Sequence, residues 1–188
     1  MKSESIRDKN KIYEILEGLK RENKERELIL FMLGISTGLK MNDILRIKVR
    51  NIYKGHIQIK LMNTGRYKKI NLHEDLQNII EKYIEGKRKD KYLFESVINK
   101  NKPITLTQVY RLLKDIEYEY EVGVNLGTES LRKTYGYNLY KTYGLNALYK
   151  EFGYGNGLNM MRYIGLEEKE INELIDRAVE SINYFENW

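Results

Sequence analysis

Along residues 8–19 the apolar positions Ile12, Ile15, Leu16 and Leu19 recur every three or four residues, the spacing of one helix face, and a first helix is predicted there. A second is predicted over residues 25–33, with Gly38 marking a turn beyond it, and a short third over residues 42–47. The period then changes. His56-Ile57-Gln58-Ile59-Lys60-Leu61 alternates as a half-buried strand does, Asn63-Thr64-Gly65 supplies turn residues, and residues 66–72 read as the returning strand. Residues 52–72 are therefore expected to form a small antiparallel sheet with a strongly basic edge. Everything beyond is helical in pattern. Leu76, Ile79, Ile80, Tyr83 and Ile84 line one amphipathic helix, and Leu106, Val109, Leu112, Leu113 and Ile116 line another after Pro103. Shorter helices follow to Tyr163, with Leu145, Leu148 and Phe152 read as core. A last helix from about Glu167 carries Ile171, Leu174, Ile175, Ala178, Val179 and Ile182 on one stripe, behind an acidic start that suits the helix dipole. The predicted class is mainly α with a small antiparallel β-sheet (α+β).

Composition adds bounds. A length of 188 residues with 41% hydrophobic content fits one folded domain over residues 1–188, and the even spread of apolar and charged residues argues against disorder or a repeat. With 33 Lys and Arg against 27 Asp and Glu, the net charge is +6, a mild bias toward a polyanionic partner. The absence of cysteine excludes disulfides and thiolate metal sites, and no N-terminal apolar run resembles a signal peptide or membrane span. A cytoplasmic protein is the economical reading, associated with the nucleoid if it binds DNA.

Three segments carry chemistry. The first ends Thr37-Gly38-Leu39-Lys40-Met41-Asn42-Asp43-Ile44-Leu45, the second is Thr128-Glu129-Ser130-Leu131-Arg132-Lys133-Thr134-Tyr135, and the third runs from Phe152-Gly153-Tyr154 to Arg162-Tyr163. In this order, with a basic hairpin between the first two, they resemble the catalytic domain of the tyrosine recombinase (phage integrase) family, anchoring residues 26–166. The resemblance implies an integrase-like fold, duplex DNA as partner, and no metal or cofactor. Its chemistry is attack of a tyrosine hydroxyl on a DNA phosphodiester to give a 3′-phosphotyrosyl link. Two arginines hold the charged phosphate oxygens because a guanidinium fork fits them bidentately, and a lysine with His or Trp partners moves protons.

By resemblance the nucleophile position is Tyr163 and the second arginine is Arg132. The other positions depart from the family pattern. Lys40 replaces the first arginine, Asn63 the hairpin lysine, Glu129 the first histidine, and Tyr154 the second His or Trp. Lys40 keeps a charge without the planar fork, and a Glu129 carboxylate opposes a phosphate unless Lys133 or another base pairs with it. The two histidines, His56 and His73, match neither histidine position. Lys133, Lys60, Arg66, Lys68 and Lys69 are candidate DNA contacts, Lys60 or a neighbour being able to stand in for the missing lysine.

Each residue also has a plainer reading. Among 16 tyrosines any one is more often core or surface than nucleophile; Lys40 equally suits a solvated helix end; Arg66, Lys68 and Lys69 suit a charged strand face. The expected function is DNA binding by a recombinase-type domain with impaired catalysis, in a regulatory or accessory role on a mobile element. One alternative is an active recombinase or nicking enzyme working through Tyr163. The other is a structural or protein-binding remnant without DNA affinity. No separate N-terminal DNA-binding domain is read in the chain, so weak, poorly selective binding is expected. The last helix is expected to bury its stripe on its own domain or, with equal weight, in a second copy or a related recombinase.

Overall fold

A computed structural model describes residues 2–153 and 156–182, and the side chains of 178–182 lie outside that description. Two compact units are present, Met1–Tyr135 and Gly136–Trp188. The boundary falls inside a helix rather than in a linker.

In the first unit, α1 (Lys9–Arg21) is capped by the Asp8 carboxylate, which accepts from the Asn10 amide at 2.8 Å. Its predicted stripe is real: Ile12, Ile15 and Leu19 are buried. The second helix, α2 (Glu25–Thr37), runs four residues beyond its predicted end. Ser36 and Thr37 satisfy their hydroxyls on the carbonyls of Met32 and Leu33, so they stay helical, and the stop comes at Gly38 in the left-handed conformation (φ 62°). Because Leu28 to Leu33 are buried almost all round, α2 is the central helix of this unit, packed on α1, on α3 (Met41–Leu45) and on α4 (Glu74–Ile84).

The sheet is antiparallel in the order β1 (Ile52–Tyr53), β2 (His56–Lys60), β3 (Tyr67–Asn71). The two-residue β1 adds a strand to the predicted hairpin, pairing Ile52 with Ile57 and Tyr53 with His56. Between β2 and β3 the register sets Ile57 opposite Ile70, Gln58 opposite Lys69, Ile59 opposite Lys68 and Lys60 opposite Tyr67. Alternation thus turns Ile57, Ile59 and Ile70 into the core and Gln58, Lys60, Tyr67, Lys69 and Asn71 outward.

Residues 85–105 are pinned by bridges from Lys48 to Tyr92 and from Glu95 to Pro103, and they bury Leu93 and Phe94 completely. The following α5 (Leu106–Glu119) starts with a capping box between Thr105 and Gln108. Leu106, assigned from the sequence to its apolar stripe, is 39% exposed because it sits on the first turn, before the stripe meets the core.

The helix α6 (Ser130–Phe152) begins in the first unit and continues through the second, with a break at Gly144 (φ 76°, ψ −173°). The second unit adds α7 (Gly157–Ile164), closed by Gly165 at φ 98°, and α8 (Glu168–Ile182). Leu148, Met161, Ile164, Leu166 and Ile171 form its core, with Phe152, Tyr163 and Leu174 packed against them. Along the predicted α8 stripe Ile171 is buried and Leu174 half-buried, while Ile175 is 45% exposed; Ala178, Val179 and Ile182 lie outside the described side chains. Among the described residues no helix is long and apolar enough to cross a membrane.

Candidate nucleic-acid interface

Arg132 lies on the first turn of α6, half-buried, with Nη1 donating to the Gly38 carbonyl. The contact follows from local packing. Gly38 ends α2, and a Cβ at that position would stand 2.4 Å from Cε1 of Tyr135, three residues beyond Arg132 on α6. Only a glycine lets the two elements approach this closely in a left-handed conformation. One donor of the guanidinium fork is therefore held by a backbone carbonyl, and the fork has a fixed direction.

Two residues after Gly38, Lys40 caps α3 by position, its carbonyl accepting from Asp43 N at 2.8 Å while its side chain is exposed. Asp43 itself is buried, and its Oδ1 accepts from the Met62 amide at 2.9 Å. That bond ties the β2–β3 turn to α3, and Asn63 is the next residue of the turn. Arg132, Lys40 and Asn63 thus stand on one connected frame through Gly38, Asp43 and Met62. Glu129 is half-buried, one residue ahead of α6 and three ahead of Arg132.

Lys133 is a correction. Read from the sequence as a DNA contact, it is 5% exposed, and its ammonium donates to the Ser3 carbonyl at 2.6 Å. Burial pushes this lysine below its ordinary pKa, with Lys2 adding to the effect and the carboxylates of Glu129 and Glu4 opposing it. Consecutive positions on a helix diverge by about 100°, so Arg132 and Lys133 face different neighbours.

On the hairpin, Lys60 and Lys69 project from the outer face, and Arg66 is exposed at the end of the turn. The Lys60 stem passes over the turn, 3.9 Å from where a Gly65 Cβ would lie. Lys68 alternates to the other side and is half-buried. His56 packs edge-on to Tyr53 with ring centroids 6.0 Å apart, and His73 caps α4 by accepting from the Asp75 amide. Sequence reasoning missed one strong signal here: between Asp43 and Glu74 there is no acidic residue and there are eight Lys and Arg.

In the second unit Tyr163 is half-buried on α7, its ring edge-on to Phe152 with centroids 6.1 Å apart at 61°. Arg162 pairs with Glu168, Nε to Oε1 at 2.6 Å, which braces α7 against α8. Tyr154 lies outside the described residues. Among the described residues no group of three or more His, Asp or Glu could hold a metal.

The sequence pattern of the phage integrase family matches residues 7–170, a span holding Lys40, Asn63, Glu129, Arg132, Tyr154 and Tyr163. This chain belongs to the phage integrase family. Among relatives in the family, the Bacillus subtilis protein named "Probable integrase/recombinase YoeC" is 35% identical over 166 residues, covering 87% of this chain and 90% of that one. The crystal structure of XerA recombinase superposes with a TM-score of 0.71 at 12% identity, over 95% of this chain and 66% of that one. A XerH site-specific recombinase bound to a palindromic difH substrate gives a TM-score of 0.69 at 16% identity, over 93% of this chain and 53% of that one. Those two likenesses establish a shared integrase fold, and the chain spans about half to two thirds of the length of those two solved recombinases.

Proposed function

We propose that this member of the phage integrase family binds duplex DNA and carries an impaired strand-transfer site, acting in a regulatory or accessory role on a mobile element. The observation that supports it best is the frame joining Arg132, Lys40 and Asn63. It offers phosphate one oriented guanidinium and one lysine, flanked by a hairpin free of acidic residues. Nucleoid association would follow from that binding.

The impairment follows from the reaction. A tyrosine hydroxyl attacks phosphorus, the 5′-oxygen of the next nucleotide leaves and takes up a proton, and charge gathers on the non-bridging oxygens. Lys40 gives those oxygens charge without bidentate geometry, Asn63 cannot protonate the leaving oxygen as a lysine would, and Glu129 sets a carboxylate three residues from Arg132. Losing one preorganised donor costs on the order of a hundredfold to a thousandfold in rate, so several losses together suppress turnover even where they are not additive.

The retained pair Arg132 and Tyr163 favours a second reading, an active recombinase or nicking enzyme that forms a 3′-phosphotyrosyl intermediate. A gel shift with generic duplex DNA, run beside a nicked suicide duplex that traps covalent product, decides. The proposal expects a shift at about 50 mM salt that is largely lost by about 200 mM, with little adduct. No shift at the lowest salt overturns DNA binding and leaves a protein-binding remnant. Abundant adduct dependent on Tyr163 establishes the active reading.

A further inference from the structure

We infer that the outer face of the β-sheet reads base edges in a DNA groove, with Gln58 and Asn71 as the residues that set sequence preference. This rests on the DNA-binding reading above and goes beyond it, because phosphate contacts alone carry no sequence information.

The face is built from alternation. Ile57, Ile59 and Ile70 are 8% exposed or less, so the sheet is anchored by its inner side and the outward residues are held in fixed register. Gln58 stands opposite Lys69, Lys60 stands opposite Tyr67, and Asn71 lies on the same face two residues beyond Lys69. Tyr53 on β1 and Tyr67 on β3 are 59% and 71% exposed, aromatic rings left in solvent among lysines. The side chains of Gln58, Lys60, Tyr67, Lys69 and Asn71 make no hydrogen bond or ion pair among the described residues.

Elsewhere the surface neutralises itself. Lys24 pairs with Glu22 and Glu119, Arg88 with Asp90, Lys91 with Glu95, and Lys114 with Glu117. In residues 44–73 the eight Lys and Arg have no acidic residue among them, so the remaining 25 basic and 27 acidic residues sum to −2. The whole positive excess of the chain is therefore carried by residues 44–73, which contain the sheet. On this face amides and two exposed tyrosines alternate with the lysines, so hydrogen-bonding and stacking groups stand beside the positive charge.

Size and chemistry fit a groove. Strands of five residues run about 16 Å, the rise of about five base pairs, and a two-stranded ribbon enters a major groove about 12 Å wide. Gln and Asn side chains each offer a donor and an acceptor matched to the N6 and N7 edge of adenine. Lys60 and Lys69 beside them suit the phosphates at the groove rims. Five base pairs is a short recognition element, in keeping with modest overall selectivity.

The test is selection of bound duplexes from a randomised pool by the full chain at fixed salt, followed by sequencing, and then gel shifts with the enriched and a scrambled duplex. The wild type should enrich a motif of about four to five pairs containing A·T positions. Gln58→Ala with Asn71→Ala should lower the ratio of enriched to scrambled binding about tenfold. Lys60→Ala with Lys69→Ala should weaken both duplexes together. Thermal melts check that each exposed-face variant is folded. The same motif enriched by the Gln58/Asn71 variant, or no motif from a wild type that binds DNA, overturns this inference and leaves the DNA-binding reading standing. A wild type that retains no duplex at any salt sinks both.

Discussion

Arg132 and Lys133 adjoin each other in the sequence and carry the same charge, yet one is aimed at the α2 terminus and the other is sealed under Ser3. Motif spacing singles out Arg132 as the candidate phosphate contact; the burial of Lys133 depends on a carbonyl 130 positions away and has no local signature. The same holds for Asp43, whose place in the motif is visible in the sequence but whose partner, the Met62 amide, appears only when the hairpin folds back on α3. Removing the Asp43 acceptor leaves that amide without its partner. Asp43→Ala is expected to cost about 1–3 kcal/mol, while Asp43→Asn, which keeps an acceptor oxygen, should cost less than half as much. Urea unfolding midpoints measure both. Equal losses from the two substitutions would show that the bond does not hold the hairpin.

At the scale of elements, period was a good guide. The α1 and α4 stripes and the β2–β3 hairpin follow directly from spacings of 3.6 and 2. What spacing could not reveal was structure made by long-range pairing, such as the two-residue β1, or by burial without period, as at Leu93 and Phe94. Within the hairpin, alternation separates two adjacent lysines, Lys69 outward and Lys68 toward the Ile59 side. Lys69→Ala should flatten the dependence of log K on log salt by about one unit, and Lys68→Ala by clearly less. Equal changes would place both lysines at phosphates. On α5, burial pushes the Glu117 carboxyl up, but bonds from Lys114 and the Leu126 amide outweigh it and leave the group below its ordinary 4.5. A carboxyl depressed in the folded state confers stability that is full above about 4.5 and is lost as pH falls through the lower folded value. Glu117→Gln should therefore narrow the stability difference between neutral pH and pH below 4.5, seen by urea unfolding at each. An unchanged difference would contradict the assignment.

For the whole molecule, the sequence announces no division, because the boundary between the two compact units falls after Tyr135 inside α6, with no change of composition and no linker. In the second unit Ile171 is buried within this chain and Leu174 packs on the same core, so truncation after Leu166 should cost helicity and cooperative unfolding. Circular dichroism and sedimentation check this. An oligomer that becomes a folded monomer on truncation would instead show α8 seated in a second copy. Family membership and fold were legible from three motifs; whether the chemistry survives depends on how few of the family's catalytic side chains a phosphate needs. The most direct measurement is covalent adduct yield on a nicked suicide duplex, compared between the natural protein and a variant carrying Lys40→Arg, Asn63→Lys, Glu129→His and Tyr154→His. Little or no adduct is expected from the natural protein, with a clear rise in the restored variant and loss of that rise when Tyr163→Phe is added. Abundant Tyr163-dependent adduct from the unmodified protein would contradict impairment, and adduct on a different tyrosine would contradict the site itself.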